Sequence, residues 1–107
     1  GNDIKVHGSF QALGTTEETS KTYGYMGYAQ GSMSDADGNA TITHGVGIST
    51  NSGTITDGTT YPYVIVTTAG VRMSADNGGL LVSNGYAYFK EKGGSWQKIG
   101  SGKAVFG

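Results

Sequence analysis

The sequence predicts an all-β protein: an antiparallel β-sandwich or barrel-like domain of short hairpins, with essentially no helix. Twenty of its 107 residues are glycine and one is proline, and the glycines separate segments rich in Thr, Val, Ile and Tyr. Glycine reaches φ > 0 without steric cost, as tight hairpin turns require, while β-branched and aromatic residues suit the strands between them. No stretch of ten or more residues keeps a helical stripe of apolar side chains.

Alternating apolar and polar residues predict four strands in the first half of the chain. The first covers residues 4–10, the second begins at Tyr23 and runs to Met33, the third covers 40–48, and a short fourth covers 54–57. In the third, Ala40, Ile42, His44, Val46 and Ile48 share one face, and Thr41, Thr43, Gly45 and Gly47 share the other. We expect His44 to be buried and hydrogen-bonded on the apolar face. The small face indicates close approach by another backbone.

The second half is predicted to be one long strand followed by short hairpins. The long strand covers 63–73, and its continuous apolar run at 63–66 indicates burial on both faces or at a subunit contact. The turns Asp76-Asn77-Gly78-Gly79 and Asn84-Gly85 carry the strongest two-residue hairpin signals, because type I′ turns need φ > 0 at both central positions. The remaining predicted strands cover 80–83, 86–91, 95–99 and 104–106, and a loop is predicted at 15–21.

The length predicts a single domain over residues 1–107. The chain begins Gly-Asn-Asp rather than with Met, which indicates a processed product or a domain excised from a longer chain. A domain of this size buries only about 60–70% of the surface of its unfolded chain, and without cysteine it has no disulfide to compensate. We therefore expect a homo-oligomer.

Charge and hydropathy exclude several classes of partner. Seven basic and eight acidic residues give a net charge of −1, without the basic cluster that nucleic-acid binding needs. No apolar run approaches the 18 or so residues of a transmembrane helix, and the sequence predicts no signal peptide, so membrane insertion is not expected. No sequence pattern predicts a cofactor.

Catalysis and metal binding have little support in the sequence. The chain lacks a nucleophile elbow, a phosphate-binding loop and a zinc-binding helix motif, so we expect no enzyme. Asp35, Asp37 and Asn39 imitate the first half of a calcium loop, but position 12 of such a loop, counting Asp35 as position 1, is Val46 rather than Glu. We interpret these residues as a hairpin turn and keep them only as weak metal candidates.

The tyrosines are the residues best suited to ligand binding, because each ring has an apolar body and a hydroxyl group. A two-residue spacing places Tyr23 with Tyr25, and Tyr86 with Tyr88, on single strand faces. These four residues are the candidate ligand-binding positions, with strand filling as the structural alternative. The candidate subunit-contact residues are Tyr63 and Ile65, from the apolar run, and Gly45 and Gly47, from the small face of the third strand.

Residues 67–99 resemble the short-hairpin segments of bacteriophage fibre and spike proteins. Such proteins contain a hairpin of the form strand, Gly-Gly, any residue, Trp, any residue, Lys, apolar. The matching residues here are Tyr88, Lys90, Gly93, Gly94, Trp96, Lys98 and Ile99. The resemblance implies a virion structural or adhesion module, a fibre tip, spike or capsid decoration, that attaches to a host surface or stabilises the particle.

The resemblance also favours a homotrimer on a virion or in the extracellular space, with a host-surface glycan or protein as partner. The sequence carries no coiled-coil heptads and no collagen-like repeat that would form a trimerising stalk. The alternative function is a secreted carbohydrate-binding β-sandwich that uses the paired tyrosines. A third reading is a surface or secreted protein whose domain only builds an assembly.

Overall fold

The structure is a computed structural model that describes residues 3–14, 21–34, 39–58 and 60–100. These residues form one open sheet in the order β1-β2-β3-β5-β6-β7-β8-β9, with β4 beside β2. All pairs are antiparallel except β2 with β4. The strands are β1 Ser9–Leu13, β2 Thr22–Ser34, β3 Ala40–Ser49, β4 Ile55–Thr56, β5 Tyr63–Thr67, β6 Gly70–Ala75, β7 Gly78–Ser83, β8 Tyr86–Lys90 and β9 Gln97–Ile99.

The all-β prediction is confirmed, because the described part of the chain contains strands and turns and no helix. It therefore has no helix that could cross a membrane. The predicted strand at 104–106 and all of the loop at 15–21 except Lys21 lie outside the described residues.

The first predicted strand is displaced toward the C-terminus. The apolar alternation at 4–10 predicted a strand there, but β1 begins at Ser9, and Ile4 is 84% exposed. The reason lies at Gly8, whose φ of 113° interrupts the extended backbone before the ladder with β2 starts.

The predicted long strand at 63–73 is wrong, because the chain forms a hairpin within it. β5 ends at Thr67 and β6 begins at Gly70. The Thr67 hydroxyl oxygen accepts the N–H of Ala69 at 3.1 Å, a local bond that favours a turn over continued extension. The longest strand is instead β2, with 13 residues.

The two strongest hairpin signals are confirmed. Asp76 and Asn77 have φ of 49° and 68° between β6 and β7, and Asn84 and Gly85 have φ of 52° and 87° between β7 and β8. Both loops thus have φ > 0 at both central positions, as type I′ turns require.

A side chain at the second of these turns should cost stability. We expect Gly85→Ala to lower the free energy of unfolding by about 1 kcal/mol, because alanine must adopt a left-handed backbone there. Gly58 has no positive φ and only ordinary contacts, so Gly58→Ala is the matched control. Urea denaturation of the three proteins measures the difference, and equal midpoints would contradict the assignment of strain to Gly85.

The strands form one open sheet that curls around a small core, and within the described residues no ladder joins its edge strands β1 and β9. Ala29, Met33, Ile55, Tyr63, Ile65 and Leu81 form this core. They lie on one side of the sheet, here called the inner face. The second half of β2 contacts β6 and β7, which are not its neighbours in the sheet, so the inner face folds onto itself.

An ion pair between Asp57 and Arg72 stabilises the curl, because both side chains bond to the backbone of Ser32 in β2. Asp57 Oδ2 accepts the N–H of Ser32 at 2.6 Å, and Arg72 Nη1 donates to the carbonyl oxygen of Ser32 at 3.0 Å. The two charged groups lie 3.4 Å apart, with side chains 24% and 15% exposed. Arg72 Nε also donates to the Tyr63 hydroxyl, and the guanidinium lies 5.1 Å from the centre of the Trp96 ring. Strand β6 is thereby joined directly to β2.

The small residues of β3 allow this close packing. A Cβ atom at Gly45 would lie 1.8 Å from the carbonyl oxygen of Val66, and one at Gly47 would lie 2.9 Å from Cβ of Ala29. The close approach predicted at these glycines therefore occurs, and the chain's own strands make it.

Candidate functional site

The four candidate ligand-binding tyrosines do not form one platform. Tyr25 pairs with Ser49 on the inner face of the sheet, and Tyr23 lies two residues before it, with a side chain 54% exposed. Tyr86 and Tyr88 lie on β8, which makes no contact with β2. The structure therefore gives two separate tyrosine pairs.

In each pair, a lysine side chain lies over the ring of one tyrosine, Tyr23 or Tyr86. Tyr88 packs against the core. Lys98 Nζ lies 3.9 Å from the centre of the Tyr86 ring, and Lys21 Nζ lies 5.0 Å from that of Tyr23. A cation–π contact of this kind covers one of the two faces of each ring on which a sugar could stack.

The four candidate subunit-contact residues lie on the inner face. Tyr63 is 4% exposed and Ile65 is fully buried, both in the chain's own core. Gly45 and Gly47 face the same side, opposite Thr67 and Ile65 in the ladder. The chain itself therefore covers these positions.

Of the weak metal candidates, Asp35 and Asp37 lie outside the described residues, and Asn39 is exposed just before β3. Within the part of the chain that the structure describes, no group of three His, Asp or Glu side chains could hold a metal ion.

A groove of about 580 Å³ lies at the end of the sheet where β5 begins. Its lining is mostly apolar and comes from β2, β3, β5, β6 and β7, with Tyr23, Ile48, Tyr63, Met73 and Leu80 among its side chains. Of the four candidate ligand-binding tyrosines, Tyr23 lines this groove, and its side chain is exposed.

The most extensive feature is the side of the sheet opposite the core, here called the outer face. Residues paired directly across an antiparallel ladder point to the same side. The ladders therefore define two apolar rows across the sheet. One contains Phe10, Met26, Ile48, Val64, Met73, Leu80 and Phe89; the other contains Tyr28, Val46, Val66, Val71, Val82, Ala87 and Ile99.

Most of these side chains are open to solvent. Ten of the fourteen are between 37% and 55% exposed, and Ile42, on the same side of β3, is 60% exposed. His44 shares this side. The expected hydrogen bond is present between the Tyr28 hydroxyl and His44 Nδ1, which lie 2.6 Å apart with the rings stacked, but His44 is exposed rather than buried.

The outer face carries no charged side chain among the described residues. Arg72, Lys90 and Lys98 are the charged residues within the strands, and each pairs with an inner-face residue: Leu81, Gly79 and Tyr88. The other charged residues that the structure describes lie outside the strands. The face can therefore bury apolar area without desolvating a charge.

Sequence reasoning correctly grouped the alternating residues of β3 but expected their apolar side to be buried. Comparison with known proteins adds no assignment: no family model, no curated protein and no solved structure matches this chain.

Proposed function

We propose that this protein is a non-enzymatic structural module that works as a homo-oligomer. The observation that carries the proposal is the distribution of apolar side chains. Among the residues that the structure describes, six hydrophobic residues form the buried core, whereas sixteen large hydrophobic residues, among them Val46 and Val66, are exposed. Monomeric soluble proteins rarely expose a contiguous apolar patch larger than a few hundred Å².

The proposed setting is a virion surface or the extracellular space. The support is the resemblance of residues 67–99 to fibre and spike hairpins, together with a small cysteine-free domain whose stability would gain from association. In such a setting the module builds or stabilises a particle, or presents a host-attachment surface. The resemblance favours a trimer.

The mass of the protein in solution tests the proposal. We expect size-exclusion chromatography with light scattering, at micromolar concentration, to return at least twice the 11.0 kDa of one chain. A mass of 11.0 kDa at every accessible concentration would overturn the homo-oligomer.

Association should also make thermal stability depend on concentration. Oligomerisation stabilises the folded state by mass action, so we expect Tm to rise with protein concentration. Differential scanning calorimetry over a hundredfold range of concentration measures this. Lysozyme, a monomer, serves as the instrument control, and a Tm that stays constant would count against the proposal.

Glycan binding is a second candidate, supported by Tyr23, which exposes about half of its side chain at the apolar groove. Aromatic rings of this kind are suitable surfaces for sugars. We expect Tyr23→Ala to abolish any binding seen on a glycan array and Tyr86→Ala, on the distant β8, to preserve it. The reverse result would move the site to β8, and an array without hits would remove this candidate.

A further inference from the structure

We propose that the outer face is the contact between copies, packing against the outer face of a second copy of this chain. This inference rests on the homo-oligomer proposed above and adds the surface that forms it. The inner face is closed on the chain's own core, with Ile65 fully buried. The outer face is therefore the side of the sheet that remains open.

The chemistry of the face suits another copy of itself. Surfaces that remain in water usually mix charges with apolar groups, yet neither apolar row contains Asp, Glu, Lys or Arg. Two such faces can meet without burying an unpaired charge. The Tyr28 hydroxyl is already hydrogen-bonded to His44 Nδ1, so it keeps a partner when it is buried.

The extent of the face suits one partner. The ten exposed members of the two rows lie on seven strands, so the apolar surface crosses almost the whole sheet. A standard stable interface takes about 800 Å² from each partner. A second sheet packed on this face would cover both rows.

The geometry is also self-complementary. Two sheets that pack face to face interleave their side chains at a separation of about 10 Å. A two-fold axis lets the same patch serve both copies, so no separate acceptor surface is needed, and this contact predicts a dimer in place of the trimer that the resemblance favours. The product is a two-layer β structure in which each sheet supplies the layer that the other lacks.

Lysine substitutions in one of the apolar rows test whether the outer face forms the contact between copies. We expect Val66→Lys, in the middle of one row, to weaken association by roughly 100-fold or more, because the ammonium would be buried without a partner. Val82→Lys, two strands away in the same row, makes the same test if the first variant fails to fold. Thr68→Lys adds the same charge in the exposed β5–β6 turn and is the matched control.

Sedimentation equilibrium at micromolar concentration, with circular dichroism to confirm the fold, gives the outcome. The proposal expects the wild type and Thr68→Lys to associate, and the folded row variants to sediment at 11.0 kDa. If the row variants associate as tightly as the wild type, the outer face is not the contact, although the homo-oligomer stands. If the wild type sediments as one chain of 11.0 kDa, both proposals are overturned. If that monomer binds phosphatidylcholine vesicles, the outer face is a lipid-binding surface instead.

Discussion

Replacing Arg72 with alanine is expected to lower the free energy of unfolding by about 2–4 kcal/mol, because removing one member of a largely buried ion pair leaves the other charge without compensation. The Asp57 carboxylate would keep its bond from the N–H of Ser32 but lose its cation at 3.4 Å. The carbonyl of Ser32 and the Tyr63 hydroxyl would each lose a donor as well.

Lys92→Ala is the matched control for this variant. Lys92 also forms an ion pair, with Asp76 at 2.8 Å, but the two side chains are 68% and 77% exposed. Solvent screens such a pair, so its removal should change the free energy of unfolding by less than about 1 kcal/mol. Chemical denaturation compares the two variants, and equal losses would contradict the structural role of Arg72.

The same substitution should loosen the curl locally. Arg72 is the residue through which β6 bonds to the backbone of β2, so its loss should increase opening at that contact. We expect hydrogen exchange at the amide of Ser32 to accelerate more than at Ile48, which lies in the regular ladder. Equal acceleration at both amides would indicate global destabilisation alone.

Gly45→Ala is expected to be the most disruptive single methyl addition in β3. The new Cβ would lie 1.8 Å from the carbonyl oxygen of Val66 and 2.8 Å from Cα of Thr67. Both are backbone atoms of the β3–β5 ladder, so relief requires strand separation. We expect a loss of about 3 kcal/mol or more in the free energy of unfolding, or failure to fold.

Gly31→Ala provides the control within a strand of the same inner face. A Cβ there would lie 3.5 Å from Cγ2 of Ile65, an ordinary van der Waals contact. Since alanine restricts the unfolded chain more than glycine does, this variant should be neutral or more stable by up to about 1 kcal/mol. Thermal unfolding of both variants measures the difference, and equal effects would contradict the close approach at Gly45.

Local chemistry explains which parts of the fold were predictable. Asn84-Gly85 encodes its own turn through backbone preference, and the alternation from Ala40 to Ile48 fixes which side chains share a face. The hairpin between β5 and β6 was missed because Thr67, which ends β5, and Thr68, in the turn, are good strand formers, and a side-chain bond from Ala69 to Thr67 decides the turn. That bond depends on a rotamer that composition does not reveal.

The sequence predicted which side chains of β3 share the outer face, but it did not predict that this face is exposed. The sequence showed a small side and a large apolar side on β3, and burial of the large side was the natural expectation. On the small side, a Cβ at Gly45 would meet the backbone of β5, and one at Gly47 would meet atoms of β2, β4 and β5, so neither position admits a larger side chain. The apolar side is consequently the one left outside.

The amino-acid sequence by itself determined the all-β class, the turns at Asp76-Asn77 and Asn84-Gly85 and the grouping of side chains by face, because these depend on residues close together in the chain. The tertiary structure decided which face is inside and brought Asp57 and Arg72 together around Ser32. These features depend on strands that meet across the curl, and the direction in which a sheet curls is set by all of its packing contacts together.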